Sequence, residues 1–140
     1  MGNQQLEGEE VDTMATNVTV ISPIATPEPP GPATPGMERR QLIDEGDRWI
    51  GWVRTTPGMA GGWHHHGDRD TYIFVSRGAL IVEFGPGGRE SVTMSAGEMG
   101  YVPPRTVHRE ITPPGEPAEA FAIRLGSGPQ TVNVDEPDQE

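Results

Sequence analysis

From Arg48 onward, apolar and polar residues alternate in short runs, and glycine or proline breaks each run. A period of two over four to eight residues marks a half-buried strand. The pattern predicts strands over 48-55, 60-66, 71-76, 79-84, 90-94, 99-102, 107-112 and 118-125. Between them stand turn-forming groups: Pro57-Gly58, Gly67-Asp68, Arg77-Gly78, Gly85-Pro86-Gly87-Gly88, Ala96-Gly97, Pro103-Pro104 and Pro113-Pro114-Gly115. Short strands at such regular spacing predict an all-β fold, a sandwich or small barrel. Only Met37 to Glu45 fits a brief helical turn. After Gly126-Ser127-Gly128-Pro129 comes a last β-prone run, Thr131-Val132-Asn133-Val134.

The ends read differently. Pro23, Pro27, Pro29, Pro30, Pro32 and Pro35 interrupt regular structure and favour an extended linker. Within that stretch, Asn17-Val18-Thr19-Val20-Ile21 is β-prone and suits addition to a sheet edge. Met14 marks where a shorter chain would start, so residues 1-13 are expected to be dispensable. The organisation expected is a Pro-rich acidic tail over 1-36, one β-barrel domain over 37-126, and an acidic C-terminal tail over 127-140, both tails flexible.

Composition narrows the chemistry. The 140 residues suit one domain, and an apolar share of 33% is low for a chain that is globular throughout. With 19 glycines and 15 prolines, long helices are not expected. There is no cysteine, which excludes disulfides, thiolate metal sites and a cysteine nucleophile. All ten basic residues are arginine, so Schiff-base chemistry is excluded too. The net charge of −11 resides in the ends: Glu7, Glu9, Glu10, Asp12 and Glu28 at one, Asp135, Glu136, Asp138 and Glu140 at the other. No basic patch invites nucleic acid, and no apolar run approaches the ~20 residues of a membrane span. Residues 1-20 lack the basic start and apolar core of a secretory signal, and a cytoplasmic location is expected.

The chemistry concentrates in the histidines. Three of the four are consecutive, His64-His65-His66, and the fourth is His108. Neutral imidazole is the commonest protein ligand for a transition metal. On a strand, alternation turns His64 and His66 to one face and His65 to the other. A third ligand must come from elsewhere, and His108 is the histidine left to supply it.

These residues resemble the cupin family, small jelly-roll β-barrels that hold a metal between two motifs. In the first motif, Gly58 stands six residues before His64, then come His64-x-His66, Thr71 and Gly78, with Phe74-Val75 where the family carries an aromatic-valine pair. In the second, Gly97, Pro103, Arg105, His108 and Thr112 occupy the family's positions. Three positions depart: Thr71 replaces the family's glutamate ligand, Arg105 a glycine and Thr112 an asparagine. The resemblance covers about residues 40-126 and implies a divalent transition metal, iron first, with manganese, nickel, zinc and copper as alternatives. Asp70 is next to Thr71, and alternation points it to the opposite face, although a bulge there would turn it toward the metal. The expected ligand set is therefore His64, His66 and His108, all neutral, which leaves the ion its full charge and favours anionic partners. Thiol dioxygenases and diketone-cleaving cupins are similar in using three histidines and iron.

Further candidates around the site are Thr71, Asp70, Tyr72, Arg54 and Arg124. An inward arginine would hold a substrate carboxylate, whereas an outward one would be solvated. Trp49, Trp52 and Trp63 are expected to close the barrel or a dimer face, and Glu98 and Glu110 to lie on the surface. The function expected is an iron-dependent oxygenase on a small anionic or chelating molecule. The alternatives are a non-oxidative metal-dependent isomerase or lyase, and a non-catalytic small-molecule-binding cupin. A homodimer is expected, with no nucleic-acid or membrane partner.

Overall fold

The computed structural model describes residues 17–26 and 35–139. The expectation for residues 1-13 lies outside them. Ten strands form in chain order: β1 (Met37–Glu45), β2 (Arg48–Thr55), β3 (His64–His65), β4 (Asp70–Arg77), β5 (Ala79–Phe84), β6 (Glu90–Ser95), β7 (Met99–Val102), β8 (His108–Ile111), β9 (Ala118–Leu125) and β10 (Val132–Asn133). Two five-stranded antiparallel sheets result, in the orders β1-β2-β9-β4-β7 and β10-β3-β8-β5-β6. They face each other as a jelly roll, without a ladder that closes them into a barrel. No helix among the described residues is long and apolar enough to cross a membrane.

The core is what the alternation dictates. Ile73 and Val75 of β4, Val102 of β7, and Ala118 and Ala120 of β9 meet Leu80 and Val82 of β5 and Met94 of β6. One sheet's inner face thus packs on the other's. Burying each larger aliphatic side chain stabilises the fold by roughly 1.5–3 kcal/mol. The chain crosses between sheets at tight corners. Gly78 joins β4 to β5 with φ +72°, and Ala96-Gly97 joins β6 to β7 with Gly97 at φ +91°.

Several details correct the sequence reading. Met37–Glu45 is the edge strand β1, paired with β2, and holds no helical turn. A bulge between Gln41 and Ile43 shifts its register, which hides the period of two. Residues 127–139 do not stand apart from the sandwich. β10 pairs with β3, Val134 N–H donates to Trp63 O (3.1 Å), and Gly87 N–H to Asp138 O (2.7 Å). Residues 17–22 join no sheet and end in a 3-10 turn at Pro23–Ala25, leaving Val18, Val20 and Ile24 exposed.

Two departures from the family pattern find their reasons here. Arg105 adopts φ +58°, the left-handed conformation that glycine would take without strain. Its Nε donates to Asp68 Oδ1 at 2.7 Å and its backbone N–H to Gly67 O at 2.8 Å, which holds the loop before β8. Thr112 is buried, and its hydroxyl donates to that of Thr55 at 2.7 Å, tying the end of β8 to β2 across the sandwich.

Candidate metal centre

The histidines meet because of strand register. His64 of β3 lies directly opposite His108 of β8. His66 follows just past β3 and is buried. The three rings stand with centroids 4.4 to 5.2 Å apart, and their candidate ligand atoms all lie within 4.8 Å of one another.

Each ring is also locked. His64 Nδ1 bonds Gly62 O at 2.9 Å, His66 Nδ1 bonds Gln130 O at 2.7 Å, and His108 Nδ1 bonds Thr106 O at 2.8 Å. A carbonyl only accepts, so every Nδ1 carries the proton, and the neutral ring presents its Nε2 lone pair to the centre. Such partners orient metal-binding imidazoles and fix their tautomer. His108 Nε2 is fully buried, a polar atom that a cation would satisfy. The donor set therefore fits a divalent transition metal.

His65 turns elsewhere: its Nδ1 accepts the Gly67 N–H at 3.0 Å. Thr71 faces inward, buried, with its hydroxyl unpartnered. Asp70 accepts the Tyr101 hydroxyl at 2.6 Å, and Tyr72 packs on Tyr101, so both lie on the outer face of β4. Arg54 points away from the histidines, into a depression of about 510 Å³ beside Glu38 and Thr56, and pairs with Glu119. Trp63 packs against Arg109, and Trp49 is buried under Arg124.

Arg124 is the inward arginine. It lies opposite Thr71 in the ladder, stacks its guanidinium on Trp49 at 4.3 Å, and donates through Nη1 to Gln130 Oε1 at 3.2 Å. Gln130 thus links Arg124 to His66. Burial lowers Arg124 to about 10, partly offset by Glu110, so it stays charged at neutral pH. Its Nε is buried and has no hydrogen-bond partner among the described residues.

Glu110 corrects the surface assignment. It lies opposite the buried Val82 in the ladder, and it shares the face of His108, two residues before it. Its carboxylate stands 3.0 Å from His108 Nε2 and 3.7 Å from His64 Nε2. Burial alone would raise its pKa, but His108, with lesser help from His64 and His66, brings it down to about 2. The same pairing outweighs burial at His108 and raises that imidazole. Burial lowers His64 and takes His66 to about 3, with Arg124 adding to the effect at His66. The sequence signal was present: alternation from His108 puts Glu110 on the histidine face.

His108 is sealed, whereas the side chains of His64 and Glu110 keep 15% and 14% of their surface exposed. A cavity of about 140 Å³, lined by Val82, Phe84, Met94, Tyr101 and Val102 among others, also reaches His108.

Comparison with curated proteins gives no sequence match. Solved structures match in fold. The polyketide cyclase RemF from Streptomyces resistomycificus is 18% identical with a TM-score of 0.69, over 84% of this chain and 86% of that one. KdgF from Halomonas sp. is 22% identical with a TM-score of 0.58, over 67% and 83%. Oxalate decarboxylase from Bacillus subtilis is 19% identical with a TM-score of 0.63, over 73% of this chain and 28% of that one. At such identities the likeness concerns the fold. The model of the cupin domain matches residues 51–124, more than half the chain, from within β2 to within β9 and including all four histidines, and the chain belongs to the cupin family.

Proposed function

We propose that the chain is a metal-dependent enzyme acting on a small anionic or chelating molecule, most specifically an iron-dependent oxygenase. The observation that carries this is the convergence of three locked imidazoles whose candidate ligand atoms all lie within 4.8 Å of one another. A divalent ion held there would supply Lewis acidity and open positions for substrate and dioxygen. Arg124 supports an anionic substrate: its buried, unpartnered Nε offers a charge-assisted hydrogen bond on the same inward face as Thr71. The modest cavity at His108 supports a small one.

A non-oxidative isomerase or lyase is the second reading. It is supported by fold likeness to a polyketide cyclase and a decarboxylase. Oxygen uptake by iron-loaded protein against a panel of thiols, diketones and small carboxylic acids separates the two. The oxygenase reading expects uptake with at least one substrate. It also expects Arg124→Met to raise KM for that substrate at least about tenfold without loss of bound iron. Turnover without oxygen uptake would transfer the chain to the second reading, and full metal binding with no turnover would leave a binding protein.

We also propose a homodimer, supported by the exposure of Val18, Val20 and Ile24, an apolar segment that monomers seldom display. Light scattering at micromolar concentration should give the mass of two chains. A one-chain mass would refute it.

A further inference from the structure

We propose that Glu110 is a fourth ligand of the metal centre, so that the carboxylate missing from β4 is supplied by β8. The inference rests on the reading of the histidine cluster as a metal centre.

Geometry carries it. Two donor atoms that share one ion at bond lengths of about 2.1 Å stand about 3.0 Å apart at a right angle and about 3.4 Å apart at a tetrahedral angle. Glu110 Oε2 lies 3.0 Å from His108 Nε2, and Oε1 lies 3.7 Å from His64 Nε2. Each carboxylate oxygen therefore faces a different imidazole, Oε2 at ligand-to-ligand spacing from His108 and Oε1 a few tenths of an ångström beyond it from His64.

Placement on the strand agrees. His108 and Glu110 are two residues apart on β8, on the inner face beside Val82. Arg109 between them points outward and pairs with Glu83 at 2.8 Å. No cation of the chain takes the Glu110 carboxylate in a hydrogen bond or ion pair among the described residues; the histidines are its partners. A centre of three imidazoles and one carboxylate carries one charge less than three imidazoles alone, and the hard oxygen donor moves its preference toward iron and manganese.

The test is titration of metal-free wild-type protein and Glu110→Gln with Co2+, followed by visible absorption, with thermal melting to establish that both are folded. The wild type should take one Co2+ per chain. Glu110→Gln should bind at least about tenfold more weakly, with altered band positions and intensity, since an anionic oxygen donor has been replaced. Unchanged affinity and spectrum would overturn the inference while leaving the three-histidine centre standing. Weaker binding with an unchanged spectrum would also overturn it, because Glu110 would then act from outside the ligand set. A wild type that takes no Co2+ would overturn the metal centre itself. Should Glu110→Gln fail to fold, Glu110→Asp keeps the charge and shortens the reach, and it should bind Co2+ with a changed spectrum; an unchanged one refutes the assignment.

Discussion

Replacing His108 with alanine should abolish stoichiometric metal binding, with affinity for a divalent transition metal falling at least about 100-fold. His108 is the fully buried member of the cluster, and its Nδ1 is held by Thr106 O so that Nε2 faces the centre. His64→Ala and His66→Ala should behave alike, because each ring is aimed by its own backbone carbonyl and none substitutes for another. The readout is best made differential. A ligand present at 100 times its dissociation constant stabilises the folded state by about 2.7 kcal/mol. Wild-type protein should therefore melt several degrees higher with metal than without, and the three variants should show no such shift. Taking the difference within each variant removes the separate effect of the cavity that truncation leaves. His65→Ala and Asp70→Ala should keep the full shift, since both side chains are engaged elsewhere.

The second large effect is structural. Gly78→Ala should destabilise the fold by at least about 2 kcal/mol, lowering the melting midpoint by about 8 °C. Gly78 holds φ +72° at the corner where the chain leaves one sheet for the other. A Cβ there would come within 2.4 Å of Pro117 O and 3.1 Å of Ala118 Cα, both backbone atoms. Relief requires β9 to move away from the corner. Gly97 is the control: at φ +91° an added Cβ meets nothing within 4 Å, so Gly97→Ala should cost only the conformational strain, about 1 kcal/mol. Chemical denaturation of both variants checks the pair. Equal losses would show that steric approach at Gly78 contributes nothing.

Much of this was legible in the sequence, for identifiable reasons. Strands such as β2, β5, β7 and β9 carry alternation bounded by glycine or proline, and their expected limits agree with the structure. The pairing of His64 with His66 followed from alternation and from the absence of other histidines. Elsewhere physical context overrode local pattern. The bulge in β1 shifts the phase of Leu42 and Ile43, so no period of two survives to be read. Glu110 was hidden by its charge, since a lone glutamate is usually solvated. Alternation from His108 points it to the histidine face, and the cross-strand position of Val82 and the approach of two histidines show that it is inward. The segment after Leu125 was hidden by its composition. Two of its ties to the site run through the backbone carbonyls of Gly128 and Gln130, which accept from Arg69 and His66, and a third through the Gln130 side chain, which accepts from Arg124.

The most direct measurement is anomalous diffraction at the metal edge from crystals of the metal-loaded protein. One peak is predicted per chain, about 2.1 Å from Nε2 of His64, His66 and His108, with each Nδ1 still bonded to its carbonyl. A peak on Nδ1 atoms, a peak away from these three rings, or no peak from protein shown to carry the metal in solution would contradict it.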